Sequence, residues 1–473
     1  MAGPLIDRRT ALAGLAAAPL LMAQSAPAAG VRTFLGIRYG RADRFRAPTP
    51  VSDAPLGSYG PSAPQRGLAG SEDCLFLNIW TPARDRRARP VLVYFHGGAY
   101  STGTPNNPLL DGSNLAARGD AVVVTVAHRL NLFGYLYLAR LDPRFSDSGN
   151  CGQLDLILAL QWVRDNIAAF GGDPGKVTVF GQSGGGAKIA TLMGTPAARG
   201  LFHRAATMSG QQVTASGPLH ATERARAFMA AVGAWTAEDL LAMPVERLLG
   251  GLDATDPILG GGIYMGPVLD MKWLTRHPFW PDANPQGNAI PMMLGNTRDE
   301  TRGFYGPDHP KIVGLTWDNL AERMAPELRI DVHPEWLVAE YRRLFPSYSA
   351  EQVFFAATTA GRSWRAQVIE AEERARAGVP AYVYQLDFPQ PAPHGADIPL
   401  VFGTWSDPAS RPVSDAIMAA FLRFARTGDP GWAPYRMPAR RTMIFDRAPR
   451  VAGDPRRAER ELFERIPYIQ PGT

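Results

Sequence analysis

The chain is poor in cysteine and nearly as poor in lysine. Its 473 residues include two cysteines, Cys74 and Cys151, too few for a disulfide framework. Of the 49 basic residues only Lys176, Lys188, Lys272 and Lys311 are lysines; the rest are arginines. Those arginines are scattered among Asp and Glu, as in Asp85-Arg86-Arg87-Ala88-Arg89, and form no stripe interleaved with aromatics. A formal net charge of +5 therefore does not point to nucleic acid as a partner. No strongly apolar stretch reaches the ~20 residues of a membrane span, which excludes a multi-span membrane protein and leaves no stable membrane anchor. Internal repeats are lacking, as are low-complexity tracts beyond the first thirty residues. With 45% hydrophobic and 20% charged residues, the chain falls among globular proteins, not disordered or fibrous ones.

The first residues read as a leader. Asp7-Arg8-Arg9-Thr10-Ala11-Leu12 opens an uncharged run from Ala11 to Met22, and Ala26-Pro27-Ala28 fits a small-residue cleavage site. A charged start, a short apolar middle and a small-residue exit define a secretory signal. An Arg pair directly before a weakly apolar, Ala/Gly-rich run points to the twin-Arg route. Residues 1–28 are expected to be a signal peptide, and the protein to be periplasmic or secreted. Residues 29–473 read as one domain with insertions.

Along that region, strand-like runs alternate with helix-like segments. Pro90–Phe95 is rich in β-branched and aromatic residues, and Ala121–Val126 is continuously apolar, as a strand buried on both faces must be. From Gln153 to Phe170 apolar residues recur at helical spacing, until Gly171-Gly172-Asp173-Pro174 stops the helix. Val177–Phe180, Pro291–Leu294 and Ala381–Tyr384 read as further buried strands. The alternation predicts an α/β fold with a mostly parallel sheet flanked by helices.

Gly181-Gln182-Ser183-Gly184-Gly185 matches G-x-S-x-G. Alone the pattern is weak in a chain with 48 glycines. Its context, a strand before and a helix-forming stretch from Ala187 to Met193 after, is the strand–turn–helix that a nucleophile elbow requires. A serine hydroxyl needs a base near neutral pH. Of eight histidines, His394 lies in a Pro/Gly-rich loop after a late strand, where the chain order Ser, acid, His places it. The acid belongs on a loop after an intervening strand, and Leu294-Gly295-Asn296-Thr297-Arg298-Asp299-Glu300 meets that. Spacing does not choose between Asp299 and Glu300. Acyl transfer also needs donors aimed at the developing oxyanion. His96-Gly97-Gly98-Ala99 follows a strand as the glycine-rich loop of esterases does, and Gly184 supplies a further N–H.

Taken together these residues resemble the type-B carboxylesterase family, which includes para-nitrobenzyl esterases and cholinesterases. The resemblance runs along nearly all of the chain after the leader: Phe34-Leu35-Gly36-Ile37, Ser71 to Trp80, Ala168 to Gly186, Asp299-Glu300, His394 and Phe424 to Pro430. It implies an α/β-hydrolase fold with insertions around the active-site mouth, no cofactor or metal, and hydrolysis of small carboxylic esters through an acyl-enzyme. It further implies a triad of Ser183, His394 and Glu300, with Gly98, Ala99 and Gly184 as oxyanion donors and Gly97 as a helper. An amidase or thioesterase on the same triad, or a non-catalytic binding member of the fold, are the alternatives; a monomer or weak homo-oligomer is the default assembly. Three departures stand out. Gln182 replaces the usual Glu, so a negative charge near the site is absent. No Trp precedes Glu72, which removes an aromatic platform for an ammonium group. Gly184 replaces Ala, a change expected to be mild. Cys74 has no upstream partner and is expected to be a free buried thiol.

Overall fold

A computed structural model describes residues 30–51 and 53–468; the leader expected over residues 1–28 lies outside the described residues. The short apolar runs become strands of one ten-stranded sheet. In chain order these are β1 (Arg32–Arg38), β2 (Phe76–Thr81), β3 (Arg89–Phe95), β4 (Val122–Val126), β5 (Gly172–Gln182), β6 (Arg204–Met208), β7 (Met292–Thr297), β8 (Ala381–Leu386), β9 (Arg441–Phe445) and β10 (Arg450–Gly453). They lie side by side as β1-β2-β4-β3-β5-β6-β7-β8-β9-β10. From β4 to β9 every neighbouring pair is parallel. The antiparallel pairs sit at the two ends, β1 with β2 and β2 with β4 at one, β9 with β10 at the other.

The central stretches of the parallel strands are largely apolar because both of their faces are covered. Val91, Val93 and Phe95 of β3 and Val122, Val124 and Val126 of β4 point to one side. Leu92, Tyr94 and Val123 point to the other. The first side is packed by helix α1 (Cys151–Asn166) through Leu156, Ala159, Leu160 and Val163. At Ile167–Phe170 that helix tightens into a 3-10 turn, and Gly171 closes it at φ +81°, so the helical reading extends four residues past the true α-helix. Each fully buried Val or Leu contributes about 1.5–3 kcal/mol over exposure, so the sheet's two faces hold the scaffold without disulfides. Cys74 and Cys151 are unpaired and fully buried, and burial pushes the Cys151 thiol up to about 12. No helix among the described residues is long and apolar enough to cross a membrane.

Register decides where the loops meet. Phe95 of β3 pairs with Gly181 of β5, and Gln182 pairs with Met208 of β6. The loop after β3 and the turn after β5 therefore leave the carboxyl edge of the sheet side by side, where open α/β sheets hold their ligands. Behind the loop after β7 lies an inserted helical layer with its own core, including Leu337, Tyr341, Phe354 and Trp364. It grips that loop through Thr301, whose hydroxyl bonds Thr358 at 2.8 Å and whose N–H donates to the Thr359 hydroxyl at 3.3 Å.

Candidate active site

Ser183 stands between β5 and helix α2 (Gly184–Met193) at φ 55°, ψ −124°. That is a strained setting for a residue with a side chain, tolerated where the surroundings enforce it. Here they do: the Ser183 N–H donates to the Met208 carbonyl at 2.7 Å, and its own carbonyl accepts from the Ala187 N–H at 3.1 Å. A Cβ on Gly185 would strike the carbonyl oxygen of Phe95, so α2 can sit this close to β3 only with glycine there. The motif is thus a packing requirement as well as a turn.

The loop after β7 and the loop after β8 meet at two neighbouring acids. Glu300, 1% exposed, accepts a short hydrogen bond from His394 Nδ1. Its other oxygen accepts from the Asn296 amide at 2.9 Å and the Thr297 N–H at 2.8 Å. Burial alone would push the Glu300 carboxyl up, but the His394 imidazole, the Ser209 side chain and the Thr297 N–H outweigh it and hold the group below its usual value. Asp299 points elsewhere. Its carboxylate accepts from the Ala392 N–H at 3.0 Å, while its own N–H donates to the Ala392 carbonyl at 3.0 Å. It fastens the histidine loop to the acid loop, while Glu300 is the acid that faces the imidazole.

Ser183 is not joined to that pair by a hydrogen bond. The free ring nitrogen of His394, Nε2, lies 3.0 Å from the side-chain amide nitrogen of Gln182. Because Nδ1 carries the proton given to Glu300, Nε2 is an acceptor and the Gln182 amide donates to it. Sequence reading took Gln182 only as a missing charge and did not find this contact. In free enzymes the nucleophile–base bond is often long and closes only with substrate in place. The Phe304 ring, 4.8 Å from the imidazole, shields its flank.

The 96–99 loop has Gly98 at φ +88° and Ala99 at φ +53°. Among the described residues neither the Gly98 nor the Ala99 N–H meets an acceptor. Their peptide carbonyls are bonded on the far side: Gly97 O to His96 Nδ1 at 2.9 Å, Gly98 O to the N–H groups of Ser101 and Thr102 at 3.1 and 2.9 Å. Gly184, the first residue of α2, has no helical acceptor for its N–H and lies directly against Ala99. In this backbone a Cβ on Gly184 would run into the Ala99 carbonyl oxygen. Among the described residues no cluster of three or more His, Cys, Asp or Glu is placed to hold a metal.

Comparison with known proteins decides the family. The model of the carboxylesterase family matches residues 22–439. The chain belongs to the carboxylesterase family. The para-nitrobenzyl esterase of Bacillus subtilis (strain 168) is 33% identical over 482 residues, covering 91% of this chain and 94% of that esterase. A probable N-octanoylanthranilate hydrolase of Rhodococcus erythropolis is also 33% identical, over 87% of this chain and 93% of its own. Among solved structures, the Geobacillus stearothermophilus carboxylesterase superposes with a TM-score of 0.83 at 33% identity, covering 93% of this chain and 97% of that one. This carboxylesterase has the α/β-hydrolase fold that the family resemblance implied, and it is a carboxylic ester hydrolase.

Proposed function

We propose that Ser183 is the nucleophile, His394 the general base and Glu300 its orienting acid, acting on small-molecule carboxylic esters. The observation that carries this reading is the Glu300–His394 bond beside a strained serine and a loop with unpaired N–H groups. Ser183 Oγ attacks the ester carbonyl carbon while its proton passes to His394 Nε2, from which the Gln182 amide has withdrawn. Glu300 holds Nδ1–H and offsets the charge of the imidazolium. The N–H groups of Gly98, Ala99 and Gly184 receive the oxyanion. Collapse of the tetrahedral intermediate expels the alcohol, which takes the proton from Nε2. Water repeats the sequence on the acyl-enzyme, releasing the acid and restoring Ser183.

A panel of p-nitrophenyl esters of increasing acyl length beside the matching anilides tests the reaction class. Esters should be cleaved with a burst of p-nitrophenol and far faster than the anilides. Anilides cleaved as fast as esters would instead make the protein an amidase.

We further propose export by the twin-Arg route, supported by Arg8-Arg9 ahead of the Ala11–Met22 run. A chain lacking residues 1–28 should accumulate soluble and active in the cytoplasm, because the sheet and all the loops that build the site come from residues beyond the leader. Replacing both arginines (Arg8→Lys with Arg9→Lys) should stop export of the full chain, read by cell fractionation. Unchanged export would point to the general secretory route.

A further inference from the structure

Lys188 is one of four lysines and lies on α2 between Ala187 and Ile189, five residues after the nucleophile. Its side chain is fully buried. A lysine in such a place is normally paired with a carboxylate. Among the described residues Lys188 has no such partner. Its ammonium instead donates to two main-chain oxygens, Ala99 O at 2.8 Å and His96 O at 3.2 Å. Those carbonyls mark the two ends of the loop that carries the Gly98 and Ala99 donors. The Tyr100 ring lies 5.5 Å away, and the nearby imidazoles of His96 and His128, stacked at 4.6 Å, are held neutral by burial first and by the lysine second. The chain has buried a cation directly beneath the loop and given it no counter-ion.

We propose that Lys188 is a positioning residue of the oxyanion hole, whose ammonium group fixes the 96–99 loop from below and whose charge finds its partner only in the oxyanion of the tetrahedral intermediate. The inference rests on the serine-esterase reading given above. Several features converge on it. The Ala99 carbonyl that Lys188 holds is the same oxygen that excludes a Cβ at Gly184, so one bond sets the relation between two of the three donors. The bond to His96 O orients the peptide that carries the Gly97 N–H, the helper donor. Burial pulls the Lys188 ammonium down to about 7, and an anion forming at the loop favours its charged form. A fixed charge in a low-dielectric, water-excluded site acts on a developing charge far more strongly than it would in water.

The test uses two variants of the full enzyme. Lys188→Met keeps the length of the side chain and removes both charge and donors. Lys188→Gln removes the charge and keeps an N–H donor on a side chain one atom shorter. Turnover of a fast p-nitrophenyl ester should fall roughly 10- to 100-fold in Lys188→Met, and KM should move little. Affinity for a trifluoromethyl ketone, which forms a tetrahedral adduct with Ser183, should fall in parallel with kcat/KM. Affinity for the corresponding secondary alcohol, which forms no adduct, should not. Lys188→Gln should lose most of the same factor, separating charge from tether. A merely structural lysine would lower Tm and weaken both ligands alike, and that result overturns the proposal. Wild-type turnover and ketone affinity in Lys188→Met overturn it too, as does failure of both variants to fold. Activity remaining in Ser183→Ala would instead defeat the serine reading itself, whatever Lys188 does.

Discussion

Ser183→Ala should lower turnover of a fast ester by roughly 10³-fold or more and abolish the burst. The size of the effect follows from the elbow. Ser183 is held at φ 55°, ψ −124° by the Met208 carbonyl and the Ala187 N–H, and both are main-chain bonds that alanine keeps. The variant should therefore fold with an unchanged Tm, and the loss should report chemistry alone. Removing the hydroxyl leaves the oxyanion donors and the binding surface in place, so some acceleration over water persists, as it does when triad members are removed from serine proteases. Comparable activity in a folded Ser183→Ala enzyme on short-chain esters would remove the basis of the functional assignment.

Glu300→Gln should cost at least ~10²-fold; the comparable loss in a serine protease is about 10⁴. The surroundings of Glu300 say why a nearly isosteric change is so damaging. One carboxylate oxygen takes hydrogen bonds from Asn296 and Thr297, and the other faces His394 Nδ1. In a glutamine the amide oxygen goes to the two donors, which forces the NH₂ group toward Nδ1. The imidazole must then carry its proton on Nε2, the nitrogen that has to accept from Ser183, and the charge that offsets the imidazolium is gone as well. Asp299→Asn is a different case. Asparagine keeps an oxygen for the Ala392 N–H, so turnover should fall less than about tenfold, with any loss appearing in Tm as the histidine loop loosens. Kinetics on one fast ester with melting curves for both variants decide it. A dead, folded Asp299→Asn beside a near-normal Glu300→Gln would transfer the acid role to Asp299.

Much of the fold and the site is legible in the sequence. The parallel strands announce themselves as continuous β-branched runs because both faces are buried, and the elbow announces itself because a strand, a glycine-flanked serine and a helix occur in order. The serine, the histidine and the pair of acids are all visible as loop residues after strands. Which acid faces the imidazole is not, because neighbouring side chains on a loop diverge in ways that spacing does not encode; only the family resemblance favoured Glu300. Gln182 and Lys188 were read as composition, one as an absent charge and the other as a rare residue type. Their contacts run to His394 and to the 96–99 loop, across chain separations that no local pattern records. The close approach at Gly184 is hidden for the same reason, since the atom that a Cβ there would meet belongs to Ala99. A signal was present for Lys188: a lone cation in an otherwise small and apolar helix has to be solvated by something, and the chain around it offers only main-chain oxygens.

Cys74 and Cys151 are sealed within the sheet and its first covering helix. A thiol reagent reacts with the thiolate, and neither sulfur can meet one while the sheet stays closed. The two cysteines therefore act as an internal clock: their labelling rate reports how often the packing around them opens.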